Sequence, residues 1–297
     1  MPNNHAPLLS SHDWNEDWKE LQKRRRRADD ASYWDERAKT FATKDAPNPY
    51  VERFLELAAI RPGESVLDMG CGTGALAVPL GEAGHAVVAA DFSQGMLDAM
   101  AAQLAARGIT AVEPKRMSWD DDWSACGIAP NCVDVAIASR SVATADLRDA
   151  LLKLTDAARR RVCVTLATAS SPRTDERILA AVGLRSAFGN DHLYAFNILA
   201  NEGLRPEVSY IDSVRVDTFD GADEAFDVFQ RMIEDAVGAS VPSGEREKAL
   251  VRLRGWLADN LVENERAGLP DKKGVAEKRL RLREPRIVTW AFLGWNA

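Results

Sequence analysis

The stretch Ser65-Val66-Leu67-Asp68-Met69-Gly70-Cys71-Gly72-Thr73-Gly74 constrains this chain more than any other. Val66 and Leu67 read as a buried strand, and three alternate glycines follow with no polar linker before them. Glycine has no Cβ, so a ligand can lie directly against such a backbone. The chain then turns helical, and the free N–H groups and dipole of that helix start favour an electron-rich ligand. One short helix and one strand later stand Asp91-Phe92-Ser93. An acidic side chain about twenty residues on, at the end of a second strand, suits the two hydroxyls of a ribose.

Two cofactor classes compete for this pattern. Gly70, Gly72 and Ala75 satisfy the relaxed dinucleotide motif G-x-G-x-x-G/A, which carries little weight alone. Asp68 tips the balance: a carboxylate there sits poorly beside a pyrophosphate and well beside the ammonium of a methionine moiety. An acidic residue followed by G-x-G-x-G resembles the signature of the class I S-adenosylmethionine-dependent methyltransferases, here of the small-molecule type. The resemblance implies an α/β, Rossmann-like sheet of seven strands, parallel except for one antiparallel strand. It implies S-adenosyl-L-methionine as methyl donor and S-adenosyl-L-homocysteine as product. Carried onto this chain, it puts the methionine part at Asp68, Gly70 and Gly72, with Cys71, Thr73 and Gly74 completing the turn. The ribose goes to Asp91, with Phe92, Ser93 and Met96 alongside, and the adenine to Trp119 and Asp120.

Composition bounds the alternatives. A chain of 297 residues, 46% hydrophobic, suffices for a large core or a core with an inserted unit. Its 38 basic against 45 acidic residues leave a net charge of −7, which argues against a general nucleic-acid or membrane-surface binder. Cys71, Cys126, Cys132 and Cys163 form no CxxC pair and have no histidine nearby, so reduced thiols in a cytoplasmic protein are expected, and no metal. No apolar run approaches the ~20 residues of a membrane span, and the polar segment from Met1 to Trp14 shows no secretory signal.

Taken in order, residues 1–45 predict an N-terminal helical segment in two pieces. Trp14, Trp18 and Leu21 recur at helical spacing before the run Lys23 to Arg27. That run is either a solvated helix face or a patch for an anionic substrate or RNA. Ala31 to Ala38 resembles the N-terminal segment of small-molecule methyltransferases, where an aromatic residue lies over the cofactor. Trp34 is the candidate for that role and Tyr33 for the acceptor, with plain core packing as the alternative for both. The core is expected over 46–216 and 286–297. Its helices are 49–59, one after the glycines shortened by Pro79, and one that Ser93 can cap, with Met96, Leu97, Met100 and Leu104 as its inner face and Gly108 as its stop. Its strands are 65–69, 85–90, 110–113, 133–138, 162–166, 208–216 and 286–295.

Ligands of such sheets bind beyond the carboxyl ends of the strands, near the switch in strand order. Ser139-Arg140-Ser141 therefore faces the donor and the acceptor, with Ser139 on the cofactor side. Arg140 either holds a substrate carboxylate or phosphate in a two-pronged contact or neutralises a nearby aspartate. Asp121 and Asp122 rival Asp120 for the adenine amine, and all three also fit a solvated loop. Residues 170–190 lack periodicity and are candidates to shape the acceptor pocket. His192 and Tyr194 are acceptor candidates as well, against core packing. The span 217–285 predicts a helical insertion that packs on the sheet edge, covers the site or mediates self-association as a homodimer.

The expected activity is methyl transfer to a small-molecule acceptor. The run Ala138-Ser139-Arg140-Ser141 stands where amino-methylating nucleic-acid enzymes carry Asn-Pro-Pro-aromatic, and no Pro-Cys motif is present. The alternatives are an RNA or protein methyltransferase recruiting its polymer through Arg24 to Arg27, or a non-catalytic cofactor-binding protein. No general base is apparent.

Overall fold

A computed structural model describes residues 12–25, 31–38, 48–142, 144–186, 189–237, 241–271 and 274–297. Two helices, α1 (Trp14–Arg25) and α2 (Ala31–Ala38), precede α3 (Pro49–Ala58). Then come β1 (Val66–Met69), α4 (Ala77–Glu82), β2 (Val87–Asp91), α5 (Gln94–Arg107), β3 (Val112–Arg116) and β4 (Val133–Ser139). The chain continues through α6 (Leu147–Ala157), β5 (Ala158–Ala167), α7 (Glu176–Ala181), α8 (Asp191–Asn201) and β6 (Glu207–Arg215). After β7 (Thr218–Phe219), α9 (Ala222–Val237), α10 (Ser243–Asn260), β8 (Leu261–Glu263) and β9 (Leu280–Leu282), it ends in β10 (Arg286–Asn296).

Seven strands form one sheet in the order β3-β2-β1-β4-β5-β10-β6. β1 pairs in parallel with β2 and β4, whereas β10 runs antiparallel to both β5 and β6. This is the expected Rossmann-like sheet, with its strand order turning back between β1 and β4. Alternation decides what each face buries. Val66, Val135, Ile137, Cys163 and Phe292 face α3, α4 and α5, while Leu67, Ala136, Ala138, Val162 and Val164 face α1, α6 and α8. A strand buried on both faces needs near-continuous apolar sequence, which is why β4 reads VDVAIAS.

Capping chemistry sets the helix ends. The Asn48 side chain accepts from the Tyr50 N–H, and Pro49 starts α3 where its missing N–H costs nothing. Ser93 accepts from the Met96 N–H at the start of α5, and Gly108 ends that helix in the left-handed region at φ 65°. Pro79 falls inside the six-residue α4.

Several boundaries move. β3 lies later than the expected 110–113 and runs through Pro114, which an edge strand tolerates because one side of its ladder is unpaired. β5 begins at Ala158 rather than Val162, because Arg159, Arg160 and Arg161 are satisfied by Asp134, Glu64 and Glu207. The aperiodic span 170–190 contains α7, whose Ile178 and Leu179 join a separate apolar cluster with α9 and α10. The residues between β6 and β10 are also not wholly helical. They include a small antiparallel sheet in the order β7-β9-β8, with strands too short to show a period of two. Phe226, Phe229, Ile233, Leu253 and Leu257 make the core of this segment. At roughly 1.5–3 kcal/mol per large apolar side chain, their burial is what holds α9 against α10.

Candidate functional site

The glycine turn is built by close approaches as much as by freedom of φ. Gly70, Gly72 and Gly74 all lie at positive φ (74°, 54° and 88°). A Cβ on Gly70 would meet the Ser141 Cβ at 2.3 Å, so the end of β4 is pressed against the turn. The Ser141 hydroxyl fixes that contact by donating to the Met69 carbonyl at 2.7 Å. Gly72 differs: a Cβ there would meet nothing within 4 Å, leaving open space above its backbone.

The donors of the turn are largely spent inside the fold. Gly70 and Cys71 both donate to the Ala90 carbonyl, Gly74 donates to the Cys71 carbonyl, and Gly72 donates to the Asp91 carboxylate at 2.9 Å. α4 starts only at Ala77. The expected cluster of free helix-start N–H groups beside the glycines is therefore corrected: two carboxylates, not an anion hole, dominate the local field. Asp68 is 2% exposed, and its Oδ2 has no hydrogen-bond partner among the described residues. Burial, then repulsion from Asp91, pushes its pKa up to about 7 against the opposing pull of the Ala77 N–H. Asp91 is also buried, and that burial raises its pKa against the N–H groups of Ser93, Gly72 and Phe92. The Gly72 and Ser93 N–H groups each reach one Asp91 oxygen at 2.9 Å, and with Phe92 they are three donors against four lone pairs, so acceptor capacity remains for a ligand.

Around this pair the expected residues divide. Phe92 is half-buried beside Asp91, and Met96 is buried one turn into α5. Trp119 is held toward β4 by its indole N–H, which donates to the Ser141 carbonyl at 3.0 Å. Asp120 is exposed, whereas its rivals are engaged locally: Asp121 accepts from the Ser118 N–H and Asp122 from the Ala125 N–H. Trp34 is half-buried on α2, next to Tyr33, which is 48% exposed.

Others are drawn away from ligand contact. The Cys71 side chain packs into the core with Leu76 and Phe54, and burial drives its thiol pKa well up. Thr73 is buried, and its carbonyl accepts from the Gln103 side chain. Ser93 is 0% exposed, and its hydroxyl is used up in capping α5 and donating to Asp35 at 2.6 Å. Tyr194, expected at the acceptor, instead packs edge-on against Trp14 and Trp18 of α1. His192 is buried against Tyr210 with its Nδ1 unpartnered, and burial lowers its pKa. The described part of the basic run is partly neutralised: Lys23 and Arg24 pair with Glu20, and Arg25 forks onto Asp191 at the start of α8, while Arg26 and Arg27 lie outside the described residues.

Three contributors escaped the sequence reading. Asp35 on α2 accepts from both Ser93 and the Gly95 N–H, pinning α2 across the start of α5. Gly95 permits this, since a Cβ there would lie 3.1 Å from the Asp35 backbone. Tyr50 places its hydroxyl 2.7 Å from both Ser139 and Thr165, at the ends of β4 and β5. Trp290 of β10 sits opposite Ala167, the last residue of β5, and so reaches the same end of the sheet. The Arg140 guanidinium lies over the Tyr50 ring at 4.2 Å and 5.9 Å from the Trp290 ring centre.

A seven-stranded sheet of this order, with a glycine turn after β1 and a carboxylate ending β2, is the Rossmann-like fold of methyltransferases. Residues 66–161 match the methyltransferase domain family. The chain therefore resembles methyltransferases from β1 into β5, a stretch that includes the glycine turn and Asp91. Over 265 residues it is 29% identical to an uncharacterized protein of Haemophilus influenzae, covering 89% of this chain and 88% of that one. A 67-residue stretch is 42% identical to the nocamycin O-methyltransferase of Saccharothrix syringae, covering 22% of this chain and 24% of that enzyme. A solved Bacillus halodurans structure, provisionally named a methyltransferase, shares the fold. It has a TM-score of 0.50 at 11% identity, covering 83% of this chain and 97% of that one.

Proposed function

We propose that this protein transfers a methyl group from S-adenosylmethionine to a small-molecule acceptor. The observation that carries the reading is the Asp68 carboxylate, buried beside the glycine turn with one oxygen unpartnered. A buried carboxylate without a partner is costly, and an ammonium is the group that relieves it. The open space over Gly72 admits a ligand backbone at that point, and the remaining acceptor capacity of Asp91 fits a ribose hydroxyl. These residues fit an amino-acid-bearing nucleoside better than a pyrophosphate, which both carboxylates would repel.

In this reading Asp68 orients the methionine end and Asp91 the ribose, while Trp119 flanks the base. The bound donor supplies an electrophilic sulfonium methyl. The chain's own contribution is then position and exclusion of water, which in well-oriented reactions contribute up to ~7–11 kcal/mol. α2, fixed by Asp35 over the start of α5, lies next to the ribose end. The pairing of Lys23, Arg24 and Arg25 within the chain favours a small acceptor over a polymer.

Titration calorimetry with S-adenosylmethionine and S-adenosylhomocysteine tests the reading. Saturable binding is expected, and none at millimolar ligand would reject it. Asp91→Ala should weaken S-adenosylhomocysteine binding by ~1.5–3 kcal/mol, the range for hydrogen bonds to a charged group. An unchanged dissociation constant would remove Asp91 from the site. Turnover of donor with any acceptor would exclude the non-catalytic alternative.

A further inference from the structure

Arg140 stands out among the residues at the carboxyl ends of the strands. It is exposed, and its backbone lies in the left-handed region at φ 60°. Among the described residues, the other non-glycine residues at positive φ are Ala59, Asn131 and Asn190, of which Ala59 and Asn190 cap helices. A long side chain rarely adopts this conformation unless its surroundings enforce it. Here the enforcement is visible: the Arg140 N–H donates to the Thr165 hydroxyl at 3.0 Å, and the guanidinium lies on the Tyr50 ring. Tyr50 in turn cannot swing, because its hydroxyl is tied to Ser139 and Thr165 and its helix start is capped by Asn48.

Among the described residues no carboxylate pairs with Arg140, so the alternative of a neutralised aspartate is not what holds this cation. Stacking on aromatic faces leaves the in-plane N–H donors of a guanidinium available. A rigid, unpaired planar fork at the open end of the sheet suits two-pronged capture of a carboxylate or phosphate. Resting on the reading of the crevice as a methyl-transfer site, we propose that Arg140, on its Tyr50–Trp290 platform, anchors the acceptor through an acidic group. The acceptor is thereby a small organic acid or phosphate ester.

The donor's own carboxylate is the competing source of such a charge, and the lean of the fork separates the two. Arg140 follows β4, the neighbour of β1, but its guanidinium leans toward β10, over the Tyr50 ring and within 5.9 Å of the Trp290 ring centre. The amino and carboxyl groups of one amino acid are joined through a single carbon, so a donor whose ammonium meets Asp68 holds its carboxylate on the β1 side. A carboxylate on the β10 side of the fork is then supplied by a second molecule.

The test uses the full-length protein and three ring probes of one size: benzoate, phenyl phosphate and neutral benzamide. Binding is read by saturation-transfer NMR with and without S-adenosylhomocysteine, in wild type, Arg140→Met and Arg140→Lys. Wild type is expected to bind at least one of the anions tenfold or more tightly than benzamide. The tighter anion identifies the acid. In Arg140→Met that preference should fall to within twofold, with Arg140→Lys between, while the dissociation constant for S-adenosylhomocysteine changes less than threefold. No anion preference in wild type, or one that survives Arg140→Met, would overturn the proposal. A tenfold loss of S-adenosylhomocysteine binding in Arg140→Met would overturn it too, by giving the fork to the donor. Failure of wild type to bind S-adenosylhomocysteine at all would sink the donor reading instead, and the anion preference is read independently of it.

Discussion

Asp68 ties stability and ligand binding to pH in opposite senses. Its pKa stands at about 7 in the folded chain against an ordinary 3.8. A displacement of roughly three pH units at ~1.4 kcal/mol each amounts to about 4 kcal/mol. Below pH 3.8 the carboxyl is protonated both folded and unfolded, and the penalty is absent. Between pH 3.8 and about 7 the unfolded chain releases the proton while the folded chain keeps it, so stability falls as pH rises through that window. Above about 7 both states are ionised, and the penalty is constant. Ligand-free protein should therefore melt at a lower temperature at pH 8 than at pH 5.5, as far as this residue governs it.

Binding runs the other way. An ammonium pairs with ionised Asp68, so below pH 7 a ligand must expel a proton, and affinity should fall about tenfold per pH unit. From pH 8 to pH 5.5 this predicts a loss of roughly 30-fold for S-adenosylhomocysteine. Calorimetry in buffers of different ionisation enthalpy should show close to one proton released near pH 6 and little at pH 8. Asp68→Asn should raise the melting temperature of the free protein at pH 8, flatten the pH dependence and weaken binding at pH 8 by ~1.5–3 kcal/mol. An affinity that is flat from pH 5.5 to 8 in wild type, or Asp68→Asn binding as well as wild type, refutes the assignment.

Three further outcomes are expected. Gly70→Ala should destabilise the fold and weaken donor binding, because the new Cβ meets Ser141 at 2.3 Å in a left-handed backbone. Adding Ser141→Gly should recover part of the loss but not the ~1–2 kcal/mol backbone cost, and thermal melts of both variants read the difference. Asp35→Ala removes the acceptor for Ser93 and Gly95; by comparison with helix caps it should cost ~0.5–2 kcal/mol and release α2 to proteolysis. An unchanged cleavage pattern would show that α2 is held by other contacts. Arg25→Ala breaks the fork onto Asp191 and should lower stability by ~1.5–3 kcal/mol. Equal salt sensitivity of melting in mutant and wild type would show that this pair contributes nothing.

What the sequence made legible follows from where the information lies. Glycines at 70, 72 and 74 and the apolar runs at 66–69, 87–91 and 133–138 are local patterns, and each imposes its own structure wherever it occurs. The sheet order follows from them through the resemblance. The platform under Arg140 was not legible. Tyr50 and Trp290 are separated by most of the chain, and β10 carries Trp290 to the end of β5 only because it runs antiparallel. Asp35 reads as one acid among several in a charged helix, and only the close approach that Gly95 allows gives it two donors. Ser93 carried two readings, ligand contact after the ribose carboxylate and N-cap of the next helix; the cap is what the structure shows, and it uses the hydroxyl. Tyr194 misled because its neighbour α1 comes from a segment far upstream, whose two indoles claim the ring.

The three hydroxyls at the ends of β4 and β5 connect the two halves of the crevice through a proton count. Tyr50 carries one hydroxyl proton and lies 2.7 Å from two oxygens, Ser139 Oγ and Thr165 Oγ1. It can donate to only one of them and must accept from the other. Thr165 Oγ1 already accepts from the Arg140 N–H, and where it gives its own proton to Tyr50 the phenol proton is free for Ser139. Tyr50 then donates to Ser139, and the Ser139 proton is left for the crevice. Burial raises the Tyr50 pKa, which keeps the phenol protonated. The same ring that supports the Arg140 cation thus orients a neutral donor toward the ligand space, so the acceptor side offers hydrogen-bond donors while the donor side, at Asp68 and Asp91, offers acceptors.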